Sequence, residues 1–299
     1  DAISVQLTSD EVCATGNPAL SNSITMTVNP LLPVSVQIAA STATTICDGT
    51  SVTFTATPTN GGLNPTYQWF NGANPIAGET NITYTTNTLI NGDVISVQLT
   101  SDEVCATGNP AISNSITMTV NPLLPVSVQI AASTATTICD GTSVTFTATP
   151  TNGGLNPAYQ WFNGANPILG ETNSTYTTNT LINGDVISVQ LTSDELCTTG
   201  NPATSNSITM TVNVVLPVSV SITVSPTDEI CAGTSVTFTA TPVNGGDNPT
   251  YQWFSGINAI PGETNSTYTT SSLVNGEVIS VVCKSNLTPC ISNNPATSN

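Results

Sequence analysis

The sequence predicts an all-β protein made of several antiparallel β-sandwiches in a row. Residues 30–121 recur as residues 122–213 with only six differences, and a more diverged copy starts near Val214. Apolar and polar residues alternate with a period of two, without helical periodicity, between clusters of Gly, Pro and Asn. Because a unit of about 92 residues exceeds the 20–50 residues of a solenoid repeat, each copy should be a domain with its own core.

The alternating segments of the first complete copy define its strands in order. Val52, Phe54 and Ala56 share one face of the second strand, and the turn signal Asn91-Gly92 precedes the strand at 94–100. We name the predicted strands A (34–38), B (51–56), C (67–70), E (83–86, with Leu89), F (94–100) and G (115–120).

The strand pattern and one tryptophan per copy predict the type of sandwich. About seven short strands in some 92 residues, with a Trp on the third, are typical of an immunoglobulin-like domain. The predicted fold class is therefore all-β, with tandem immunoglobulin-like antiparallel β-sandwich domains in a head-to-tail array. Trp69, Trp161 and Trp253 are interpreted as core residues between the sheets. We expect Phe54, Val97 and Leu99 to be buried around Trp69.

The repeat strings resemble a known family. Residues 46–56, 67–69, 91–97, 108–110 and 113–120 are similar to the tandem Ig-like repeats of very large Bacteroidetes cell-surface adhesins, of which the gliding-motility adhesin SprB is the type. The resemblance covers the whole chain. It implies export by the type IX secretion route, display at the cell surface and a role in adhesion or motility. It supplies no catalytic or binding residues.

The predicted domains do not coincide with the ends of the sequence. Residues 1–29, here called the N-terminal segment, correspond to strands F and G of a preceding repeat. Repeat 1 is 30–121, repeat 2 is 122–213, and repeat 3 is 214–299, which lacks strand G. Either this is a segment of a longer array, or a neighbouring subunit's strand completes the open sandwich. The sequence favours the first interpretation, because residues 1–29 carry no distinct donor segment.

Composition excludes several function classes. The chain has one basic residue, Lys284, no histidine and 18 acidic residues, for a net charge of −17. Binding to nucleic acid or to an anionic membrane surface requires positive charge, so neither is expected. Without histidine, and with no paired-carboxylate arrangement, we expect no enzyme and no cofactor. No apolar run approaches the ~18–20 residues of a membrane span.

Eight cysteines without zinc-type spacing predict disulfides in an oxidising compartment, with buried free thiols as the alternative. In an immunoglobulin-like sandwich, Cys47 before strand B and Cys105 after strand F should lie at opposite poles, roughly 25 Å apart. A disulfide needs Cα atoms within about 7 Å. In a head-to-tail array, the pole where the chain leaves one repeat meets the pole where the chain enters the next repeat. This favours bonds across the junctions, Cys47–Cys197 and Cys139–Cys290.

The other cysteines follow from the same topology. Cys13, Cys105 and Cys231 would then pair with repeats beyond these residues. Cys283 replaces Leu99 on strand F and is expected to be a buried thiol. The alternative is pairing within each repeat, Cys47–Cys105 and Cys139–Cys197.

Two further kinds of site are weaker candidates. Recurring acids could ligate Ca²⁺ near the junctions, although no EF-hand loop is present and such pairs are usually solvated; they are Asp102, Glu103, Asp194 and Glu195. Glycosylation sequons occur once per repeat at an equivalent position, with one more in repeat 3; they are Asn81, Asn173, Asn265 and Asn286.

These features predict a structural segment of an extracellular cell-surface adhesin or filament. Prolines 122 and 125 in the link between repeats predict a nearly fixed angle and a semi-rigid rod. The expected partners are neighbouring repeats and other copies in a filament. The alternative functions are a strand-exchanged filament subunit, or polysaccharide-binding modules acting by avidity through outward rings at Phe70, Phe162 and Phe254.

Overall fold

A computed structural model of the chain describes residues 1–227 and 229–298. The described residues form strands and turns, with no helix among them. Contacts group the chain into two compact units, Asp1–Leu124 and the residues from Pro125 onward. The all-β prediction is confirmed.

Repeat 1 forms a two-sheet sandwich preceded by the four short strands of the N-terminal segment. The strands of that segment are β1 (Ala2–Ile3), β2 (Gln6–Leu7), β3 (Ala19–Leu20) and β4 (Ile24–Thr25). Those of repeat 1 are β5 (Leu32–Pro33), β6 (Ser35–Ala40), β7 (Thr45–Cys47), β8 (Val52–Thr59), β9 (Thr66–Asn71), β10 (Asn74–Pro75), β11 (Thr83–Thr86), β12 (Val94–Thr100), β13 (Ala106–Thr107), β14 (Ala111–Ile112), β15 (Ile116–Thr117) and β16 (Thr119–Asn121).

The two sheets of repeat 1 are antiparallel, with parallel pairs at the poles. One sheet has the order β10-β9-β12-β14, with β15 also on β12, and the other has β11-β8-β6. β16 pairs in parallel with β7, and β13 pairs in parallel with β5. In this arrangement strand G, divided into β15 and β16, covers the end of the sandwich where the chain leaves.

The core lies between the sheets, as predicted. Trp69, Phe54, Val97 and Leu99 are all 0 % exposed. The ring of Trp69 lies 6.3 Å from Phe54 and 5.9 Å from Tyr84, between centroids, which suits tilted aromatic packing. The indole Nε1 donates a hydrogen bond of 2.9 Å to the carbonyl oxygen of Asn81, so the polar atom of the buried Trp is satisfied.

Repeat 2 has the same topology as repeat 1. Its sheets have the orders β22-β21-β24-β26, with β27 on β24, and β18-β20-β23, and β19 pairs in parallel with β28. Its strands are β17 (Leu124–Pro125), β18 (Ser127–Ala132), β19 (Thr137–Cys139), β20 (Val144–Thr151), β21 (Ala158–Asn163), β22 (Asn166–Pro167), β23 (Thr175–Thr178), β24 (Val186–Thr192), β25 (Thr198–Thr199), β26 (Ala203–Thr204), β27 (Ile208–Thr209) and β28 (Thr211–Asn213).

Repeat 3 keeps both sheets but is open at one end. The sheets have the orders β33-β32-β35-β37 and β30-β31-β34. Within the described residues it has no counterpart of β7, β15 or β16. Its strands are β29 (Leu216–Pro217), β30 (Ser219–Ser225), β31 (Val236–Val243), β32 (Thr250–Ser255), β33 (Asn258–Ala259), β34 (Thr267–Thr270), β35 (Ile279–Lys284), β36 (Ile291–Ser292) and β37 (Ala296–Thr297).

The four strands of the N-terminal segment form two short antiparallel pairs, with no facing sheet among the described residues. β1 pairs with β4, and β2 pairs with β3, both antiparallel. Ile3, Val5 and Leu7 are 64 %, 68 % and 67 % exposed, whereas their counterparts on β12 are fully buried. The segment therefore has the pairing of strands F and G without the second sheet that would cover them.

Candidate functional site

The most specific structural feature is the junction between repeats 2 and 3. At the end of repeat 2, β28 runs parallel to β19, with Asn213 opposite Cys139. After a short link the chain enters β29, which runs parallel to β36. The Leu216 N–H donates a hydrogen bond of 2.9 Å to the Cys290 carbonyl oxygen. The two parallel pairs therefore fix one cysteine beside each end of the link.

A disulfide closes this junction. Cys139 and Cys290 are bonded, with an S–S distance of 2.02 Å and a Cα–Cα distance of 5.3 Å, inside the range that a disulfide requires. This is one of the two junction bonds that the sequence predicts. It excludes the rival Cys139–Cys197 pairing. The bond joins residues 151 positions apart, so it encloses most of repeats 2 and 3 in one covalent loop.

Within repeat 1, the cysteines lie at opposite poles. Cys47 is opposite Asn121, where the chain leaves, and the Cys105 carbonyl accepts a bond of 2.9 Å from Leu32, where the chain enters. Cys105 is a free thiol whereas Cys47 is disulfide-bonded, so the rival Cys47–Cys105 pairing is wrong. Cys197 is also disulfide-bonded. The predicted Cys47–Cys197 pairing stays a prediction.

The remaining cysteines are free thiols in two environments. Cys13 and Cys231 are exposed, and Cys283 is buried in the core of repeat 3. Burial raises the pKa of the Cys283 thiol above its usual value, which keeps it protonated and unreactive. Cys283 is therefore a buried core residue, as its position on strand F predicts.

The calcium candidates Asp102 and Asp194 hold a loop in place. Asp102 Oδ2 accepts a bond of 3.1 Å from the Asn64 N–H, and a Cβ on Gly62 would overlap Asp102 Oδ1. Asp194 makes the same bond to Asn156. Glu103 is half-buried and Glu195 exposed. The described residues contain no group of three or more side chains suited to a metal. Calcium binding stays a prediction, and the geometry gives these aspartates another role.

Asn286 performs the same structural role in repeat 3. Its Oδ1 accepts a bond of 3.3 Å from the Asn248 N–H and contacts the position of a Cβ on Gly246. An uncharged amide can therefore replace Asp102. Sequence reasoning missed this role, although the Gly-Gly pair that precedes each loop was its signal.

The three equivalent sequons differ from Asn286. Asn81, Asn173 and Asn265 are exposed, and the backbone carbonyl of each accepts a hydrogen bond of 2.9 Å from the tryptophan Nε1 of its repeat. Their side chains are open to modification, so glycosylation at these positions stays a prediction.

The rings suggested as a carbohydrate platform are only partly exposed. Phe70, Phe162 and Phe254 are half-buried, and Phe70 lies opposite Pro75 in the β9–β10 hairpin. Every aromatic side chain in the described ranges is buried or half-buried. In β9 Phe70 follows the fully buried Trp69 and so lies on the opposite face of the strand, and the carbohydrate platform stays a prediction.

Comparison of the sequence with protein-family models and with curated proteins finds no match. Solved structures with a related arrangement include the three N-terminal domains of the bacteriophage RB49 highly immunogenic outer capsid protein, Hoc, at 14 % identity over 89 % of this chain and 96 % of that one. Another is the eight N-terminal Ig domains of the Down syndrome cell adhesion molecule, at 11 % identity over 86 % of this chain and 53 % of that one. The TM-score is 0.32 in both cases, too low to support a functional argument.

Fold and junction together define the class: tandem immunoglobulin-like sandwiches with a disulfide across a repeat junction. Such disulfides form and persist in oxidising environments. Among the described residues no helix is long and apolar enough to cross a membrane.

Proposed function

We propose that the chain is a load-bearing spacer in an extracellular surface fibre, where it holds an adhesive region away from the cell. The observation that carries this proposal is the Cys139–Cys290 bond across the junction of two repeats. A bond inside one domain would stabilise that domain only. A bond between domains provides a short covalent path from one domain to the next, and this path persists when either domain unfolds.

The position of the disulfide determines which residues of the two repeats can be extended by tension. A force applied between the start of repeat 2 and the end of repeat 3 follows the shortest covalent path. That path runs along the chain to Cys139, through the disulfide, and on from Cys290. Residues 140–289 lie outside it, so these residues add no length to the fibre when the two cores unfold.

The family resemblance supports a more specific assignment. Similarity to the repeats of large Bacteroidetes adhesins of the SprB type suggests export by the type IX route, cell-surface display, and attachment or gliding. The net charge of −17 favours this setting, because like charges keep neighbouring fibres soluble and apart. The expected fixed angle between repeats stays a prediction for solution scattering to test.

Single-molecule force extension tests the load-bearing role. Handles are attached by non-thiol chemistry at the exposed residues Ser127 and Thr297, so that the 139–290 loop and one short segment on each side of it lie between them. The double variant Cys139→Ser/Cys290→Ser should extend about 50 nm further than the parent before becoming taut, at roughly 3.4 Å per released residue. The control is Cys13→Ser, which removes an exposed free thiol and should not change the contour length.

A parent chain that extends to the same length as the double variant would contradict the proposal. That result would mean that the bond does not carry tension. Where chains detach from the handles before they unfold, the measurement is repeated after the disulfide has been reduced. Parent and double variant should then extend to the same length.

A further inference from the structure

Repeat 3 contains a thiol that the load-bearing function does not use. Cys283 lies on β35, opposite Tyr251 on β32 and Ala296 on β37. It is a free thiol, and its side chain is 0 % exposed in the core of the repeat. Repeats 1 and 2 have Leu99 and Leu191 at this position, and both are also 0 % exposed. Packing of the core therefore does not require a sulfur at this position.

The folded repeat shields this thiol from a disulfide that is close to it in the sequence. β35 ends at Lys284, and Cys290 lies in the segment that follows, where its carbonyl accepts a hydrogen bond of 2.9 Å from the Leu216 N–H. The sulfur of Cys290 is bonded to Cys139. Burial raises the pKa of the Cys283 thiol, so that little of the reactive thiolate is present. Burial and protonation together prevent Cys283 from reacting in the folded repeat.

Unfolding of repeat 3 removes both barriers. The thiol then enters water, where a cysteine has a pKa of about 8.5 and a few per cent of it is thiolate at about pH 7. Cys283 is seven positions from Cys290 in the sequence, so a flexible segment of that length holds it near the disulfide. Short flexible linkers give effective concentrations in roughly the millimolar range. The attack is therefore intramolecular and local.

Loop entropy gives the exchange its direction. The native bond closes a loop between residues 151 positions apart, whereas a bond between Cys283 and Cys290 closes a loop of seven. The cost of closing a flexible loop grows with about the 3/2 power of its length, so the unfolded chain favours the short loop roughly a hundredfold. In the folded chain, the packing of repeat 3 opposes this change because it holds Cys283 in the core.

We propose that Cys283 is a latent nucleophile that opens the Cys139–Cys290 bond when repeat 3 unfolds. The Cys283 thiol loses its proton, and the thiolate attacks the sulfur of Cys290. A Cys283–Cys290 bond forms, and Cys139 leaves as a thiolate that takes up a proton. One disulfide is exchanged for another, so the step needs no external oxidant or reductant.

The exchange changes the covalent path through repeats 2 and 3. Residues 140–282 lie outside that path while Cys139 is bonded to Cys290, and they enter it once Cys139 is released. A fibre under sustained tension would then gain length from these residues. This consequence rests on the load-bearing function proposed above, whereas the exchange itself depends only on the unfolding of repeat 3.

The test follows which cysteines are bonded in the full 299-residue chain, without any applied force. The accessible free thiols, Cys13, Cys105 and Cys231, are first blocked with iodoacetamide in the folded state, which leaves the buried Cys283 free. After removal of the reagent, the chain is unfolded in urea at about pH 8, near the pKa of a free thiol, without added thiol or oxidant. Acid stops the exchange, and peptic peptides are then mapped by mass spectrometry.

We expect the Cys283–Cys290 peptide to replace the Cys139–Cys290 peptide in the unfolded chain, with Cys139 recovered as a free thiol. The rate should rise about tenfold per pH unit between about pH 6 and pH 8, because the thiolate fraction rises by that factor below the pKa. The folded chain should keep its Cys139–Cys290 bond under the same conditions without urea.

The matched control is Cys283→Leu, which places the residue of repeats 1 and 2 at this position and should keep the Cys139–Cys290 bond in urea. A parent chain that keeps this bond after unfolding would overturn the proposal, as would a Cys283→Leu variant that loses it at the same rate. Exchange that is as fast in the folded chain as in urea would also overturn it, because burial of the thiol would then have no effect.

Discussion

Strand B has the same sequence in repeats 1 and 3, yet its central phenylalanine is buried to different degrees in the two repeats. Residues 51–58 and 235–242 have the same sequence, Ser-Val-Thr-Phe-Thr-Ala-Thr-Pro. Phe54 is 0 % exposed, whereas Phe238 is half-buried at the open end of repeat 3. The partners of the two rings are also alike, since Phe54 and Phe238 each stack on a tyrosine at a centroid distance of 6.0 Å. Burial of this ring therefore depends on a strand more than 50 residues away in sequence.

The N-terminal segment also shows that the burial of a strand's side chains depends on the sheet that faces it. It has the sequence of strands F and G, and its strands pair in the expected antiparallel way. Without the facing sheet, its apolar side chains stay exposed. Local sequence determines which residues form strands, and the opposite sheet determines which of their side chains form a core.

The largest expected effect separates the two phenylalanines. Phe54→Ala should lower the free energy of unfolding of repeat 1 by about 3–5 kcal/mol, because it removes a fully buried ring and leaves a cavity. Phe238→Ala should cost repeat 3 about half as much, because that ring is already partly exposed at the open end of the repeat. Hydrogen exchange measured repeat by repeat gives both values.

Phe146→Ala in repeat 2 is the matched control, since Phe146 is also 0 % exposed and should behave like Phe54. Equal losses at Phe54 and Phe238 would mean that strand G contributes little to the packing of this ring. In that case the comparison between the repeats would fail.

Much of the fold could be predicted, because it depends on local alternation. Strand F was predicted at 94–100, and β12 has the same bounds, since its apolar residues alternate cleanly between two turn signals. Strand C was predicted one residue too short at each end. Strand G was predicted as one element but forms β15 and β16, because its first half pairs with β12 and its second half with β7. Such a change of partner sheet leaves no mark on a period-two pattern.

The candidate site divides in the same way. The Cys139–Cys290 pairing could be predicted because it depends on sandwich topology and repeat order alone. The role of Asp102 could not, because it depends on the close approach of the loop at Gly62, which has a φ of +86°. The partial burial of Phe70 could not be predicted either, because the short β10 strand opposite it has no clear sequence pattern.

A smaller effect concerns the turn before strand F, where repeat 3 uses Glu277 in place of Asp93. Glu277 Oε1 accepts a bond of 2.6 Å from the Ser255 hydroxyl, and Oε2 accepts one of 3.1 Å from the Val274 N–H. These hydrogen bonds, that from Ser255 above all, lower the pKa of the Glu277 carboxyl below its usual 4.5. A carboxyl group whose pKa is lower in the folded state than in the unfolded state contributes stability at pH values above its unfolded-state pKa. That contribution is lost as the pH falls through the folded-state pKa.

We therefore expect Glu277→Gln to reduce the acid sensitivity of repeat 3 below about pH 4.5 and to leave its pH dependence near neutrality unchanged. Thermal unfolding followed across that range measures the effect. Glu263→Gln is the control, because no described residue donates a hydrogen bond to the Glu263 carboxylate. An acid transition that is identical in the parent and in Glu277→Gln would show that the turn does not depend on the charged form.

The smallest expected effect is a gain in stability at Tyr67, in repeat 1. Its hydroxyl oxygen is buried without a hydrogen-bond partner among the described residues, and burial raises the pKa of the phenol. Removing an unsatisfied buried polar group recovers its desolvation cost, so Tyr67→Phe should stabilise repeat 1 by up to about 1 kcal/mol. Tyr251, the equivalent residue in repeat 3, is only half-buried, so Tyr251→Phe should leave stability within about 0.5 kcal/mol of the parent. Chemical denaturation resolved by repeat measures both. A loss of stability in Tyr67→Phe would show that the hydroxyl makes a favourable contact in solution, and the closed core of repeat 1 would then differ less from the open core of repeat 3 than their burial indicates.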